Sequence, residues 1–280
     1  MSRSAKVWRF VRKYPLAVLG ALICLVFFVV AILAPAVATQ DPFAQDLTAR
    51  YAAPSSQHYF GTDNFGRDIF SRVVYGTRIS MPAGFLVVIF SCIFGGIYGA
   101  IAGYFGKALD EVMMRIADIV MSFPSLVLAM ALGAVFGKTM FNTIMIIVLV
   151  WWPKYARMMR GLVLTVRETE YVTSAVVLGE RRMTILLRTI IPNCVAPLLV
   201  MASADLGAAI LMFSGLGFLG MGVAPPAPEW GAMVSDGAAV LKSWWVSFFP
   251  GIAIFTVSVA FNFIGDALRD IMDPKLRNLD

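Results

Sequence analysis

The chain has 280 residues, of which 59% are hydrophobic and only 14% are charged. A soluble domain carries roughly 25% charged residues, so this composition excludes an ordinary water-soluble protein and places most of the chain in lipid. The net charge is +6, but the basic residues lie between apolar segments, where positive charge sets membrane orientation rather than nucleic-acid binding. The single histidine excludes a histidine-based catalytic or metal cluster.

The apolar segments are long enough to cross a membrane several times. A helix needs about 20 mostly apolar residues to span the hydrocarbon core. The sequence therefore predicts an all-α membrane protein with six transmembrane helices, at residues 16–38, 80–103, 119–136, 140–152, 194–213 and 248–268. The third span is expected to begin earlier, near Met113, and the short fourth span is expected to extend towards Tyr155.

The basic residues give the orientation of these spans. Of the 23 lysines and arginines, 17 lie in the two terminal tails and in the second and fourth connections, and six lie in the other connections. Cytoplasmic segments are enriched in Lys and Arg, so both termini are expected in the cytoplasm. A cleavable signal peptide is an alternative for the first span, because Ala36-Val37-Ala38 resembles a cleavage site. We favour an uncleaved anchor, since the apolar stretch exceeds the length of about 7–15 residues usual for a signal.

A strip of glycines on the second span predicts close helix packing. Gly95, Gly99 and Gly103 are spaced at i, i+4 and i+8, so they share one face of a helix. Such small residues let another helix approach closely within a membrane. We interpret the strip as a packing surface, and lining of a translocation pathway is the alternative.

Charged residues within or near the spans are candidates for function. Asp205 is the one acid near the middle of a span, and an intramembrane charge is by default a functional candidate. It is therefore a candidate pathway residue, although Ser203 and backbone groups could satisfy it locally. Arg115 and Asp118 lie three residues apart near the cytoplasmic boundary and are predicted to pair with each other in a structural role.

Two motif-like segments and the three cysteines do not have the spacing of known ligand sites. Residues 133–139 (GAVFGKT) resemble a phosphate-binding loop, but only three residues separate the glycines, and the segment ends an apolar helix. Residues 63–68 (DNFGRD) lack the calcium-loop spacing, and we interpret them as a turn held by Arg–Asp pairs. Cys24, Cys92 and Cys194 lie in apolar runs without a metal-ligand spacing. The sequence therefore predicts no cofactor, no metal and no enzyme activity, so any ATP-driven work must come from a partner.

The connection at residues 154–190 is the most informative segment. Residues 168–170 provide a helix start, and one face of the predicted helix is formed by Val172, Ala175, Val176 and Gly179. Gly179 occupies a C-cap position, and a second helical run, 183–191, is expected to end at Pro192. Such a short amphipathic helix either lies on the membrane surface or docks in a groove of a soluble partner.

This connection resembles a known motif. Residues 171–179 (YVTSAVVLG), followed by 191–193 (IPN), resemble the EAA loop of ABC importer permeases. In that family the loop forms a coupling helix that fits a cleft on the ATPase subunit. The resemblance implies that the coupling residues are Glu170, Tyr171, Val172, Thr173, Ser174, Ala175, Leu178, Gly179 and Glu180.

Further motifs extend the resemblance along nearly the whole chain. Residues 58–72 (HYFGTDNFGRDIFSR) are similar to the periplasmic signature of the C-type permease subunit of dipeptide, oligopeptide and nickel importers. The last periplasmic loop of that subunit is resembled by residues 216–222 (LGFLGMG) and 225–231 (PPAPEWG). Its C-terminal end is resembled by residues 261–270 (FNFIGDALRD) and 273–275 (DPK).

Two positions depart from the family pattern. Thr173-Ser174-Ala175 stands where the family has Glu-Ala-Ala, so the acid of the coupling loop is missing, and Glu170 or Glu180 is a candidate to replace its contacts. Phe213 stands where the family often has a glutamate, so any role of that acid does not carry over to this chain.

The resemblance implies a type I ABC importer permease fold in the bacterial inner membrane. We expect an N-terminal region at 1–79, a permease domain at 80–270 that contains the coupling loop 154–190, and a cytoplasmic tail at 271–280. The expected partners are a homologous permease, one or two ATP-binding subunits, a periplasmic binding protein and the lipid bilayer. Short peptides are the expected substrates, and nickel or glutathione are the alternatives.

Two alternative functions belong to other classes of protein. An ion-coupled secondary transporter usually needs several acids or broken helices near the membrane midplane, and Asp205 is the one acid available. A membrane receptor or scaffold without transport is the second rival. Uptake that depends on ATP distinguishes the importer from both.

Overall fold

The computed structural model describes residues 11–272, and within this range the chain is almost entirely helical. Thr62 and Asp68 form the one isolated β-bridge in these residues. A π-helical turn, Ile185–Ile190, joins two helices, and 3-10 turns lie at Leu47–Ala49 and Leu241–Ser243. The helices are α1 (Pro15–Ile32), α2 (Ala34–Val37), α3 (Ile69–Phe105), α4 (Lys107–Met121), α5 (Ser125–Phe136), α6 (Met140–Arg167), α7 (Glu170–Val177), α8 (Arg182–Thr184), α9 (Ile191–Phe218), α10 (Trp230–Ala238) and α11 (Trp245–Met272).

Helix length and apolar composition identify four of the six predicted membrane spans directly. Four helical segments of residues 11–272 are long and apolar enough to cross a membrane: α1, α3, the continuous segment Arg182–Phe218 and α11. Helices α4 and α5 are apolar enough together to count as a fifth, and the 87° bend at their junction makes the pair either a broken span or a re-entrant loop. The predicted fourth span, 140–152, is the apolar first half of α6, whose second half carries four cations. Six spans therefore stay a prediction, and four to five follow from the helices themselves.

Helix α3 is longer than the second predicted span. It begins at Ile69, where the preceding Asp68 caps it by accepting a hydrogen bond from the backbone N–H of Ser71 at 2.8 Å. The second span was predicted from a charge-free segment, so Arg72 and Arg78 excluded the first turns of this helix from it. The extension carries α3 beyond the apolar stretch and into the first loop.

The glycine strip lies at the interface between α3 and α6, which pack along much of their length. A Cβ atom at Gly95 or Gly99 would overlap the carbonyl oxygen of Trp152 or Ala156, respectively. At Gly103 the same atom would lie 3.0 Å from the carbonyl oxygen of Arg160. The strip therefore allows the two helix backbones to come into direct contact, as small residues do in membrane bundles.

Helices α1, α9 and α11 complete the bundle. Gly207 of α9 lies against the carbonyl oxygen of Ser258 in α11, and Gly20 of α1 lies against the carbonyl oxygen of Ala260. Most side chains of α1 are exposed, and only Ala17 and Gly20 in it are buried. An apolar helix with so much exposed surface is suited to contact lipid on its outer side.

The predicted end of the helical run at Pro192 is wrong. Helix α8, the π-turn and α9 form one continuous helical segment from Arg182 to Phe218. Pro192 lies inside this segment, directly after the π-helical turn, and the altered hydrogen-bond pattern of that turn accommodates a residue that has no N–H to donate. The return into the membrane is therefore a helix that begins ten residues before the proline.

Residues 133–139, which resemble a phosphate-binding loop in sequence, form the end of α5 and the turn that leads to α6. Gly137 ends α5 with a φ of +84°, and the Thr139 side chain caps α6 by accepting a hydrogen bond from the N–H of Asn142 at 3.1 Å. Gly133 lies inside α5. The segment thus has the backbone of a helix–turn–helix connection.

Candidate coupling site

Helix α7 is the short helix predicted in the connection between α6 and α9. It starts after Thr169, whose hydroxyl donates a hydrogen bond to the Val166 carbonyl at 2.6 Å, and Glu170 lies in its first turn. An acid at that position interacts favourably with the helix dipole. Val172 is only 1% exposed and packs into the main apolar cluster of the bundle. Val172, with the half-buried Ala175 packed against the same cluster, anchors α7 to the transmembrane helices.

The C-terminal end of α7 and the turn that follows it are apolar and uncovered. Val177 and Leu178 are each 81% exposed, and Tyr171 and Val176 are also exposed. Gly179 follows with a φ of +78°, and a Cβ atom built there would have no neighbour within 4 Å. A cluster of exposed apolar side chains beside charged residues is typical of a protein-binding surface.

The remaining predicted coupling residues lie on the same exposed element. Thr173 and Ser174 use their hydroxyls within the helix, donating to the carbonyls of Thr169 and Glu170 at 3.2 and 2.8 Å. Ala175 is half-buried, while the backbone N–H of Glu180 donates to the Ala175 carbonyl at 3.1 Å and closes the turn. All nine predicted residues thus lie together on α7 and its terminal turn, and their role stays a prediction.

A cavity of about 610 Å³ separates α7 from the ends of α3 and α6. It is lined by Tyr104, Phe105, Arg167, Val172, Glu180 and Arg182, among others. The Arg167 guanidinium donates to the Gly103 carbonyl at 3.0 Å and ties the end of α6 to the end of α3. The ends of α3 and α6 beside α7 are therefore fixed to each other, and the cavity leaves space between them and α7.

The second half of α6 is a helix with paired cations and not a loop. Arg160 donates two hydrogen bonds to Asp110 of α4, at 2.5 and 2.6 Å. Arg157 donates to Asp118 of α4 at 2.6 Å. The predicted pair of Arg115 with Asp118 is wrong, because Asp118 turns to α6 and Arg115 lies 3.5 Å from Glu111.

The carboxylate of Asp205 has its polar partners on α6. The ammonium nitrogen of Lys154 and the hydroxyl of Tyr155 each lie 2.7 Å from its Oδ2 atom. The predicted local partner is wrong, because the Ser203 hydroxyl donates to the Val200 carbonyl at 2.8 Å instead. Lys154 also lies 3.7 Å from the centre of the Trp151 ring, a cation–π distance. The sequence analysis singled out Asp205 but missed its partners, because it assigned Lys154 to the connection after the fourth span.

The first loop contains a buried network of charges. Asp63 accepts from the Nε atom of Arg67 at 2.7 Å and from the backbone N–H groups of Phe65 and Arg67. Arg72 lies 3.5 Å from Asp63 and donates to the Pro42 carbonyl at 3.1 Å. The interpretation of residues 63–68 as a turn held by Arg–Asp pairs is confirmed. The side chains of Asp63, Arg67 and Arg72 are all buried, and the contact between Asp63 and Arg72 fixes the loop to the start of α3.

The last loop is fastened to α3 by Glu229 and Trp230. Glu229 is fully buried and caps α10 by accepting from the N–H groups of Gly231 and Ala232, at 2.7 and 2.8 Å. Burial raises the pKa of the Glu229 carboxyl to about 7. Trp230 is also fully buried, and its indole N–H donates to the Val73 carbonyl at 3.0 Å. The two loops on this side of the bundle therefore pack on the same helix.

Residues 11–272 contain no group of three His, Cys, Asp or Glu side chains arranged to hold a metal ion. The three cysteines are free thiols. The features that stand out in the described part of the chain are the short, largely exposed helix α7 and the ion pairs that α6 forms with α4 and α9.

Comparison with known proteins defines the class to which this arrangement belongs. Residues 95–278 match the family described as binding-protein-dependent transport system inner membrane component, and residues 2–54 match the N-terminal transmembrane domain of oligopeptide transport permease C. The chain belongs to the binding-protein-dependent transport system inner membrane component family. It is therefore a multi-pass inner-membrane transport subunit and not an enzyme, since the ATPase of such a system is a separate subunit.

Individual relatives agree with this assignment. The probable D,D-dipeptide transport system permease protein DdpC of Escherichia coli is 45% identical, over 97% of this chain and 91% of that protein. The dipeptide transport system permease protein DppC of Alkalihalophilus pseudofirmus is 41% identical, over 95% of this chain and 88% of that protein. A chain of the MetNI methionine ABC transporter shares the fold, with a TM-score of 0.59 at 17% identity, over 72% of this chain and 96% of that chain. The fold is that of a type I ABC importer permease.

Proposed function

We propose that this chain is one of two homologous permeases that together form an inner-membrane pathway for short peptides. A periplasmic binding protein delivers the peptide, and cytoplasmic ATPase subunits drive the cycle. Dipeptides are favoured over nickel because two of the relatives described above are named for dipeptide transport. Glutathione is the remaining alternative. Both termini and helix α7 lie in the cytoplasm in this proposal, as the distribution of basic residues favours.

The exposed apolar turn at the end of α7 carries the proposal. Val177 and Leu178 have little contact with the rest of the chain, whereas Val172 holds the helix to the bundle. Exposed apolar side chains gain free energy when a partner covers them, at roughly 25 cal/mol per Å². A groove on an ATPase is a suitable partner, because a short helix with an apolar face binds in that way. Glu170 and Glu180 flank this surface and are available for cations on the partner.

Substitution of Leu178 tests the docking surface. Leu178→Asp is expected to abolish co-purification of the ATPase subunits with the two permeases, because it places a charge in an apolar groove. Leu47→Asp is the matched control, since Leu47 is 63% exposed and lies in the first loop, at the other end of the bundle. Co-purification that survives Leu178→Asp at the level of the Leu47→Asp control would contradict the docking proposal.

A further inference from the structure

The two helices that flank the coupling loop are tied to each other by one polar cluster. Lys154 and Tyr155 lie on α6, Asp205 lies on α9, and both donors reach the same carboxylate oxygen at 2.7 Å. Tyr155 is fully buried, and the side chains of Lys154 and Asp205 are 27% and 20% exposed. We name these three residues the α6–α9 clasp.

The rest of the α6–α9 interface has no such directional contact. Both helices contribute to the main apolar cluster, with Met159 from α6 and Cys194, Leu198 and Ala202 from α9 among its members. Van der Waals packing in a membrane bundle depends little on direction, so it fixes the register of two helices less strictly than a shared polar contact does. Among residues 11–272, the other paired cations of α6 reach α3 and α4, so Lys154 forms the one ion pair between α6 and α9.

Stability alone gives no strong reason for this arrangement. A buried ion pair contributes little net stability, because the loss of hydration of both charges offsets their attraction. Well-packed apolar residues of similar volume often serve as well or better. What the clasp adds is a fixed register between two helices, since two donors on one carboxylate oxygen allow only a narrow range of positions.

We propose that Lys154, Tyr155 and Asp205 are positioning residues that make α6 and α9 move as one unit with α7. Helix α7 lies between these two helices in the chain, so a force on α7 reaches the membrane through both of them. Without the clasp, α6 and α9 slip past each other, and part of the ATPase movement does not reach the pathway. The proposal rests on the proposed function, because the ATPases supply that movement.

A double neutral variant tests this proposal in the complete transporter. Lys154→Met combined with Asp205→Asn removes the ion pair without leaving an unpaired charge, so the complex is expected to assemble and melt like the parent. ATP hydrolysis and dipeptide uptake are measured together in vesicles that contain both permeases, the ATPases and the binding protein. The number of peptides taken up per ATP is expected to fall about fivefold or more, the lower end of typical coupling energies.

A matched double variant on the same helix is the control. Arg157→Met with Asp118→Asn removes an ion pair whose side chains are 54% and 56% exposed, between α6 and α4. Its uptake per ATP is expected to stay within about twofold of the parent, because exposed pairs contribute little. An equal loss in both double variants would overturn the proposal, as it would make the effect general to α6.

Two further outcomes would also refute the proposed role of the α6–α9 clasp. In one, the Lys154→Met, Asp205→Asn complex transports with the parental ratio, which shows that α6 and α9 need no ionic link. In the other, that complex fails to assemble, which makes the cluster structural and not positioning. A parental complex without ATP-dependent uptake would instead refute the proposed function, so the two failures are distinguishable.

Discussion

Arg160 of α6 and Asp110 of α4 form a two-point ion pair, with N···O distances of 2.5 and 2.6 Å, across 50 residues of sequence. The pair holds the first turn of the amphipathic helix α4 against α6, at the end of α4 away from the 87° bend into α5. Two parallel hydrogen bonds to a guanidinium fix orientation as well as distance. The bent pair of helices is thus fastened at its charged end.

Arg160→Met is expected to lower the stability of the permease by about 1–2 kcal/mol, because it removes two charge-assisted hydrogen bonds and leaves Asp110 unpaired. Partial exposure of the Arg160 side chain, at 34%, keeps the effect below that of a fully buried pair. Thermal unfolding of the purified protein in detergent measures this change. Arg115→Met is the control, since its contact with Glu111 is highly exposed, and equal melting of both variants would contradict the account.

Gly99→Ala is expected to destabilise the bundle, because the new Cβ overlaps the backbone of Ala156 in α6. Over-packing of this kind costs about 1–3 kcal/mol. Gly161→Ala is the matched control, since a Cβ at Gly161 of α6 has no neighbour within 4 Å. The control should be neutral or more stable by up to about 1 kcal/mol, as alanine favours helices. A Gly99→Ala variant as stable as Gly161→Ala would show that α3 and α6 do not approach closely there.

The buried carboxyl of Glu229 predicts a pH dependence of stability. Its pKa is raised from 4.5 to about 7, so the folded chain holds a proton that the unfolded chain loses between these values. Stability therefore decreases as the pH rises through this window, by at most about 3 kcal/mol. The difference in melting temperature between the parent and Glu229→Gln, measured from pH 4.5 to 7.5, should change steadily in favour of the variant. A difference that does not vary with pH would contradict the raised pKa.

Gly179→Asp is expected to uncouple ATP hydrolysis from uptake while the spans stay folded. The substitution places a charge on the exposed turn beside Leu178, and the φ of +78° disfavours most side chains. Gly179→Asn separates the two effects, because asparagine tolerates this backbone region and carries no charge. Transport by Gly179→Asn should therefore exceed that by Gly179→Asp. A Gly179→Asp variant that assembles and transports normally would show that the turn is not a docking site.

Local patterns in the sequence predicted a large part of this fold. The apolar segments, the start of α7 at Glu170 and the turn at Gly179 all follow from composition, helical period and a glycine, which act over a few residues. The close packing at Gly99 likewise follows from small residues at a four-residue spacing, although that spacing did not identify Ala156 as the partner. Such features need no knowledge of distant parts of the chain.

Long-range ion pairs were not predictable in the same way. The cations Lys154, Arg157 and Arg160 indicated a cytoplasmic loop, whereas they belong to a helix and pair with acids about 40 to 50 residues away. Their spacing of three residues fits one helical face and was the available signal. No local pattern identifies which acid is the partner, because that depends on how α4 and α9 pack against α6.

Dipeptide uptake into vesicles tests the central claim most directly. Vesicles that contain this chain, a homologous permease, the ATPase subunits and an external binding protein should accumulate a labelled dipeptide only when ATP is present at the ATPases. A proton gradient without ATP should produce no uptake. Uptake by this chain alone, driven by a proton gradient, would contradict the account.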